Sequence, residues 1–241
     1  MFNQIHLFFS KLKTDFKQIF GYSKCDYGAE FSVDYEKYWN RRRGGKRFIF
    51  SNWQKQRADQ TLDIIEPGST VLDIGFGDGS VLRYLQEKKN VNGTGVSIDQ
   101  SVMNKAKNLG IETVCVDINN SNYISSLPEA DYITVFEVIQ HMPNPETFIY
   151  HIRQKARKGL IISVPNSGYY AHRLRFLFGR FPLQWIVHPG EHLRFWTVRD
   201  MSFWVDSMGY KIDKMVLYEG LPLLNKLFPK LFAQGIIVYI K

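Results

Sequence analysis

Three closely spaced glycines between Val71 and Ser80 limit most strongly how this chain can fold. The stretch reads VLDIGFGDGS, with a β-branched, apolar run before the glycines and an amphipathic run after them. Glycine adopts positive φ angles and lets a ligand approach the backbone closely. A strand that passes through a glycine turn into a helix is typical of a ligand-binding loop in an α/β protein.

The acidic residues around this turn indicate the charge of the ligand. Gly75, Gly77 and Gly79 follow a G-x-G-x-G spacing, which differs from the G-x-G-x-x-G of dinucleotide-binding proteins. Asp73 precedes the turn and Asp78 lies inside it. Two carboxylates would repel a pyrophosphate, whereas they suit a ligand with an ammonium or sulfonium group.

From residue 70 onward, short β-branched runs alternate with longer amphipathic runs. This alternation predicts a mostly parallel sheet with helices on both faces, closed by an antiparallel hairpin at one edge. The predicted strands are Thr70–Ile74, Gly93–Ile98, Thr113–Val116, Asp131–Phe136, Gly159–Val164, Tyr210–Tyr218 and Gly235–Ile240. The main predicted helices are Gly79–Lys89, Gln100–Asn108, Pro145–Arg157 and Thr197–Met208.

Two motifs resemble the class I S-adenosylmethionine-dependent methyltransferases. Asp73 with the three glycines is similar to their first motif, and Phe136–Pro143 (FEVIQHMP) is similar to the E-V-L-E-H-L-P signature after the fourth strand. Two further stretches, Ser163–Asn166 and Glu191–Thr197, are similar to the methionine-biosynthesis MetW family and to small methyltransferases of cell-surface glycan synthesis. The resemblance runs from Thr70 to the C-terminus. It implies an α/β, Rossmann-like seven-stranded sheet, mostly parallel with one antiparallel edge strand.

The resemblance also implies S-adenosyl-L-methionine as cofactor and S-adenosyl-L-homocysteine as product. The class usually ends the second strand with an acid that holds the ribose, whereas this sequence has Ser97 there and Asp99 two residues later. Either residue is a candidate for the ribose contact, and Asp99 is equally suited to cap the next helix. Asp117 is similar to the acid that contacts adenine. The predicted cofactor-binding residues are Asp73, Gly75, Gly77, Asp78, Gly79, Ser97, Asp99, Asp117 and Phe136.

Methyl transfer to a hydroxyl requires a base, and histidine is the natural one. His141 follows the fourth predicted strand, where cofactor and acceptor should meet, and His192 lies just before the Thr197 helix. We predict these two histidines as catalytic. His188 and His192 also match an H-x-x-E-H zinc pattern, but the intervening Pro-Gly pair indicates a turn rather than a helix, so no metal is expected.

Charge divides the chain into blocks, although the net charge is +8. Residues 61–149 hold five Lys or Arg against twelve Asp or Glu and contain the cofactor motifs, whereas the flanking blocks are basic. We therefore predict an N-terminal helical lid or extension (1–60), a methyltransferase domain (61–241) and a substrate-side insertion (165–196). Because arginine matches carboxylate and phosphate, an anionic acceptor is expected. The predicted substrate-binding residues are Tyr169, Tyr170, Arg173, Arg175 and Arg180.

Apolar residues between positions 2 and 20 recur at three- and four-residue spacing, which predicts an amphipathic helix. This helix either packs on its own domain or lies on a membrane surface. The basic run Arg41–Arg47 is interpreted as a solvated loop or as a contact to an anionic substrate. Because no apolar run reaches the roughly 18 residues that span a bilayer, we expect a cytoplasmic protein, with peripheral contact at the inner membrane face as an option.

The sequence thus favours a methyltransferase that O-methylates an anionic small molecule or a lipid- or nucleotide-linked sugar. One alternative is a MetW-like, non-catalytic partner of a biosynthetic enzyme, which the Ser97 substitution favours and the complete first motif opposes. A second alternative is a nucleic-acid methyltransferase. The sequence contains no recognisable RNA-binding module and no Asn/Asp-Pro-Pro-Tyr motif, which argues against nucleic acid as a partner. The sequence does not predict the oligomeric state.

Overall fold

The structure is a computed structural model, and it describes residues 2–22, 50–108, 110–118, 123–182 and 191–241. The Arg41–Arg47 run and His188 lie outside the described residues. In the part of the chain that the structure describes, no helix combines the length and apolar character needed to cross a bilayer.

A single sheet forms the centre of the described chain. Its strands are β1 (Thr70–Ile74), β2 (Asn92–Ser97), β3 (Glu112–Cys115), β4 (Ala130–Phe136), β5 (Ala156–Pro165), β6 (Ile212–Tyr218) and β7 (Gly235–Ile240). Their order is β3-β2-β1-β4-β5-β7-β6. Strands β1 to β5 pair in parallel, and β7 runs antiparallel to both of its neighbours. The predicted seven-stranded, mostly parallel sheet with an antiparallel hairpin at one edge is confirmed. The antiparallel strand β7 lies one place inside the outermost strand β6.

Helices connect and flank these strands. They are α1 (Phe2–Phe20), α2 (Asn52–Leu62), α3 (Ser80–Lys89), α4 (Gln100–Lys107), α5 (Tyr123–Ser126), α6 (Pro145–Arg153), α7 (Tyr170–Leu177), α8 (Val198–Ser207), α9 (Leu224–Leu227) and α10 (Pro229–Phe232). A 3-10 turn covers Ile139–His141. The prediction that α6 continues to Arg157 is wrong, because the backbone is already extended in β5 from Ala156. Helix α7 lies in the segment predicted as a substrate-side insertion and has no counterpart among the predicted elements.

Both faces of the sheet are buried under helices. Along β4 the side chains alternate between two apolar clusters: Ile133 packs on the face that α6 and α8 cover, and Tyr132 on the face that α2 to α4 cover. Strand β5 is apolar and buried from Leu160 to Ile162 because each of its faces meets a cluster. The parallel strands therefore present their carboxyl ends along one edge, where ligands bind in open α/β sheets.

Two helices that begin with side-chain caps border this edge. Thr197 accepts the backbone N–H of Asp200, and the Asp200 carboxylate accepts the N–H of Thr197, so Thr197 is the N-cap of α8. Ser51 and Gln54 form the same reciprocal cap at the start of α2. Helix α2 packs on α3, and its Trp53 ring lies 5.1 Å from the Tyr218 ring at the end of β6. The α2 segment is thereby held beside the carboxyl ends of the strands.

Candidate functional site

The glycine turn lies at the centre of the sheet, directly after β1. Gly75, Gly77 and Gly79 have φ angles of 73°, 60° and 78°, a backbone region that residues other than glycine rarely adopt. A Cβ atom on Gly75 would lie 2.5 Å from a methyl carbon of Val138, so close packing also requires this glycine. The Gly75 backbone is nevertheless exposed to solvent. Because β1 pairs with β2 on one side and β4 on the other, the turn occupies the switch point of the sheet.

Asp73 places a buried carboxyl beneath the turn. Its Oδ1 accepts a hydrogen bond of 2.8 Å from the Thr134 hydroxyl of β4. Burial raises its pKa from 3.8 to about 7, against the opposing effects of the Thr134 hydrogen bond and the positive charge of Arg57. A cationic ligand at this turn would favour the ionised carboxyl, and Asp73 therefore fits the sulfonium cofactor that the sequence implies.

Asp78 holds the start of α3. Its Oδ1 accepts the backbone N–H of Ser80 at 3.0 Å and lies 3.5 Å from the side-chain amide nitrogen of Gln54. Asp78 thus connects the glycine turn to α2. Its predicted contact with the cofactor stays a prediction.

The end of β2 shows how Ser97 and Asp99 are used within the chain. The Ser97 hydroxyl accepts the backbone N–H of Asp99 at 3.0 Å, and the Asp99 carboxylate accepts that of Val102 at 3.2 Å. Asp99 therefore caps α4, one of the two roles considered for it, and contact of either residue with the ribose stays a prediction. Ile98 between them is 63% exposed, and Asp117 is exposed beyond β3. Ile98 is not among the predicted site residues, although an apolar side chain beside two polar ones at a strand end is a suitable surface for an adenine ring.

Arg57 is a second residue that the sequence analysis missed. It lies on α2, is buried, and places its guanidinium carbon 5.0 Å from the centre of the Phe136 ring at the end of β4. Its Nη1 lies 3.4 Å from Glu137 Oε1, which also accepts the Ser163 hydroxyl at 2.9 Å. Within the described residues, its Nε and Nη1 atoms have no hydrogen-bond partner. Buried donors of this kind suit a ligand carboxylate such as that of a methionine moiety. Nothing in the sequence distinguishes Arg57 from the other basic residues of 1–60.

The two predicted catalytic histidines come together beyond β4. The ring centres of His141 and His192 are 4.8 Å apart, in an edge-to-face arrangement. The carbonyl oxygen of Gln140 accepts the backbone N–H groups of Leu193 and Arg194, which joins the two segments. Nδ1 of His141 is hydrogen-bonded to the carbonyl oxygen of Glu191.

The two histidines differ in their surroundings. Burial, together with the neighbouring His141 and His172, lowers the pKa of His192 from 6.5 to about 3. His192 is therefore uncharged near neutral pH and is a weak base. Its Nδ1 is buried without a hydrogen-bond partner in the described part of the chain.

Two predicted substrate-binding tyrosines instead bind α1. The hydroxyls of Tyr169 and Tyr170 donate hydrogen bonds of 2.6 Å and 2.9 Å to the carboxylate of Asp15. Burial raises the pKa of both phenols, and the Asp15 carboxylate raises it further, so both remain donors. Tyr169 is fully buried. The structure thus gives both tyrosines an anchoring role, and their contact with an acceptor stays a prediction.

The predicted substrate-binding arginines are also engaged within the chain. The guanidinium of Arg175 is buried and donates to the carbonyl oxygens of Gln18, Ile19 and Gly21 at the C-terminal end of α1, where helical carbonyls lack partners. Arg180 donates to the carbonyl of Phe20. Arg173 differs, because it is exposed and donates to the Gly168 carbonyl at 2.7 Å through Nε. Arg173 is exposed as a residue, whereas Arg180 is half-buried and Arg175 is buried.

Among the described residues, no group of three or more His, Cys, Asp or Glu side chains is arranged to hold a metal ion.

Comparison with known families and proteins agrees with this geometry. Residues 56–238 match the family model "Methionine biosynthesis protein MetW". The bifunctional methionine biosynthesis protein MetXA/MetW of Rhodopirellula baltica is 24% identical over 177 residues, which are 67% of this chain and 28% of that protein. The chain thus spans less than a third of that relative. The ubiquinone biosynthesis O-methyltransferase of Coxiella burnetii is 25% identical over 169 residues, 66% of this chain and 70% of the enzyme.

A solved structure shows the same fold. The chain matches a SAM-dependent methyltransferase from Archaeoglobus fulgidus with a TM-score of 0.62 at 18% identity, covering 86% of this chain and 100% of that one. At this level of identity the likeness shows the fold alone. The Rossmann-like methyltransferase fold expected from the glycine motif is therefore confirmed.

We predict that Gly77→Val abolishes binding of S-adenosyl-L-methionine, because a branched side chain would occupy the space in which a ligand approaches the turn. Gly68→Val is the matched control. It introduces the same strain at a φ of 74°, but in a turn before β1 where an added Cβ meets no atom within 4 Å. Isothermal titration calorimetry on both variants measures the effect, with circular dichroism to confirm folding. Equal affinities in the two folded variants would contradict the assignment of the turn.

We predict that cofactor affinity depends on pH through Asp73. Ionisation of an acid whose folded-state pKa is raised to about 7 opposes folding, so the ligand-free protein loses stability as pH rises from about 4 to 7. A cationic ligand prefers the ionised form, and its affinity should rise by up to about 25-fold between pH 5.5 and 7.5. Calorimetry across this range measures the slope, which should flatten in Asp73→Asn. An unchanged slope in that variant would assign the dependence to another group.

Proposed function

The chain belongs to the MetW family, and from this premise we propose that it is an S-adenosylmethionine-dependent methyltransferase acting on a hydroxyl group. The proposed acceptor is an anionic small molecule or a lipid- or nucleotide-linked sugar. One observation carries the proposal: a glycine turn with three positive φ angles lies at the switch point of the sheet and begins two residues after the buried Asp73. One of the relatives is an O-methyltransferase, which supports methyl transfer to a hydroxyl as the reaction class.

The residues that would hold the cofactor come from several elements. The backbone of the glycine turn would contact its methionine portion, and the Asp73 carboxylate would balance its positive charge. The Nε and Nη1 groups of Arg57, which have no hydrogen-bond partner among the described residues, would bind its carboxylate. Ser97 and Asp99 are the candidates for the ribose, and Asp117 for the adenine. When bound, the cofactor supplies a methyl group on a positively charged sulfur.

His141 is the proposed base. Its Nδ1 faces the carbonyl of Glu191, which can only accept, so Nδ1 carries the proton and Nε2 is left as the basic nitrogen. Nε2 would take the proton of the acceptor hydroxyl as the new bond to the methyl group forms. His192 stays uncharged beside it, and since it adds no positive charge, it leaves His141 able to accept that proton.

The non-catalytic alternative has specific support. The Rhodopirellula relative is a bifunctional protein that joins MetXA and MetW, so a MetW domain can exist beside a biosynthetic enzyme. A partner protein of this kind could retain the cofactor without turnover. Transfer of the methyl group to an acceptor separates the two proposals.

We predict that His141→Gln reduces methyl transfer by about 100-fold, the lower range for removal of a general base, while the Kd for the cofactor stays within about twofold. The assay follows label from methyl-tritiated S-adenosyl-L-methionine into lipid and small-molecule extracts of the source cells. His151→Gln on α6, which bonds the Tyr123 hydroxyl away from this edge, is the control. Cofactor binding without any label transfer by the wild type would favour the partner role.

We predict that Arg173→Glu raises the acceptor KM at least about tenfold without changing cofactor affinity, because the variant would repel an anionic group. Arg199→Glu is the matched control, since Arg199 is also exposed but lies on α8. Steady-state kinetics with the labelled acceptor fraction measure the effect. The same KM in both variants would argue against an anionic contact at Arg173.

A further inference from the structure

The side of α1 that faces the protein carries buried or partly buried polar residues together with the buried Ile19. Asp15 is fully buried and binds the hydroxyls of Tyr169 and Tyr170. Four residues earlier, Lys11 donates a hydrogen bond of 2.6 Å to the side chain of Gln234 and lies 3.4 Å from Asp15. Together with the Arg175 cap, these bonds determine which side of α1 faces inward.

The apolar side of α1 consequently faces outward. Five residues at three- and four-residue spacing form an apolar stripe, each 40% to 63% exposed: Ile5, Phe9, Leu12, Phe16 and Phe20. An amphipathic helix on a globular protein normally buries such a stripe. Exposed aliphatic and aromatic side chains of this extent mark a binding surface.

The stripe continues onto the end of α7. The Phe20 and Phe178 rings are 5.2 Å apart, and the neighbouring Phe176, Leu177 and Phe181 are each more than half exposed. We call the stripe and these four residues the apolar face. Two further ring contacts connect the apolar face to the candidate site. The ring centre of Phe181 lies 5.2 Å from that of Phe195, and the ring centre of Phe195 lies 6.4 Å from that of His192.

Among the described residues, the exposed charges on α1 and α7 beside the apolar face are positive. Lys13 and Lys17 are exposed on α1 next to the stripe, and Arg173 is exposed on α7. Asp15 is the only acidic residue in the sequence of α1 and is bound on the inner side, while α7 contains none. Apolar side chains flanked by lysines complement a surface whose interior is hydrocarbon and whose headgroups are anionic.

We propose that the apolar face and its flanking lysines bind the surface of an anionic lipid membrane, with α1 lying in the plane of the interface. This docking does not depend on the proposed methyltransferase function. If the membrane docking and the methyltransferase function both hold, a lipid-linked acceptor would approach His192 past the rings of Phe181 and Phe195.

The test is flotation of the full-length protein with vesicles, without cofactor or acceptor. Vesicles of phosphatidylcholine alone are compared with vesicles of phosphatidylcholine and phosphatidylglycerol in a 3:1 ratio. The expected result is binding to the anionic vesicles that salt weakens. Phe9→Ser/Phe16→Ser should reduce the bound fraction at least about tenfold, and Lys13→Glu/Lys17→Glu should reduce binding to the anionic vesicles selectively.

Matched controls keep the test specific. Phe203→Ser replaces a phenylalanine that is 75% exposed on α8, and Lys107→Glu/Lys211→Glu reverses two exposed lysines elsewhere, so both controls should bind like the wild type. Cofactor affinity of each variant, measured separately, confirms folding and reports on the methyltransferase site alone. Absence of wild-type flotation on anionic vesicles, or equal losses in variants and controls, would overturn the proposal. A wild-type dimer that Phe9→Ser/Phe16→Ser converts to a monomer, with no vesicle binding, would assign the face to a second copy of the chain and overturn it as well.

Discussion

The hydrogen bond from Thr134 to Asp73 joins the two central strands, β1 and β4, where they end, and the candidate site is built around it. Both side chains are buried. The Asp73 carboxyl is therefore stabilised by this hydroxyl and by the nearby charge of Arg57 rather than by water. Burial outweighs both and raises the pKa. A carboxyl in this state is suited to a cationic ligand, because the ligand restores a favourable environment for its charge. The glycine turn begins two residues later and opens the backbone to that ligand.

The fold was predictable from sequence because its signals are local. Most strands are runs of four to ten residues rich in β-branched side chains, and the helix or turn between two runs determines their direction. The cap at Thr197 was predictable for the same reason, since its partner Asp200 is three residues away. The helix boundary at Arg157 was wrong because the strand pairing of Ala156 with Ala130, a contact across the sheet, overrides the apolar periodicity there.

The roles of the insertion side chains were not predictable in this way. Asp15 and Tyr169 are 154 positions apart, and Arg175 and Gln18 are 157 apart. Sequence shows that an arginine is present, but whether its guanidinium faces a ligand or the end of a helix depends on which element packs beside it. Arg57 illustrates the converse, because α2 carries an ordinary basic residue to the centre of the site. Asp99 is intermediate: capping was one of two roles that its position permitted, and the hydrogen bond to Val102 shows that this role is realised.

Helix α1 lies outside the residues that match the MetW family model, which begin at residue 56, whereas Asp73 and the glycine turn lie inside them. Its contacts include α7, Tyr169 and Gln234, on the side of the sheet where the acceptor is proposed to bind. Hydrogen bonds and the buried side chain of Ile19 hold the helix without using the apolar stripe. Had packing of α1 been the sole requirement, burying the stripe would have contributed more stability than burying a charged Asp15 beside two phenols. The chain therefore combines the family-matched region that contains the glycine turn with a helix outside the matched residues, and the orientation of that helix leaves the apolar stripe exposed.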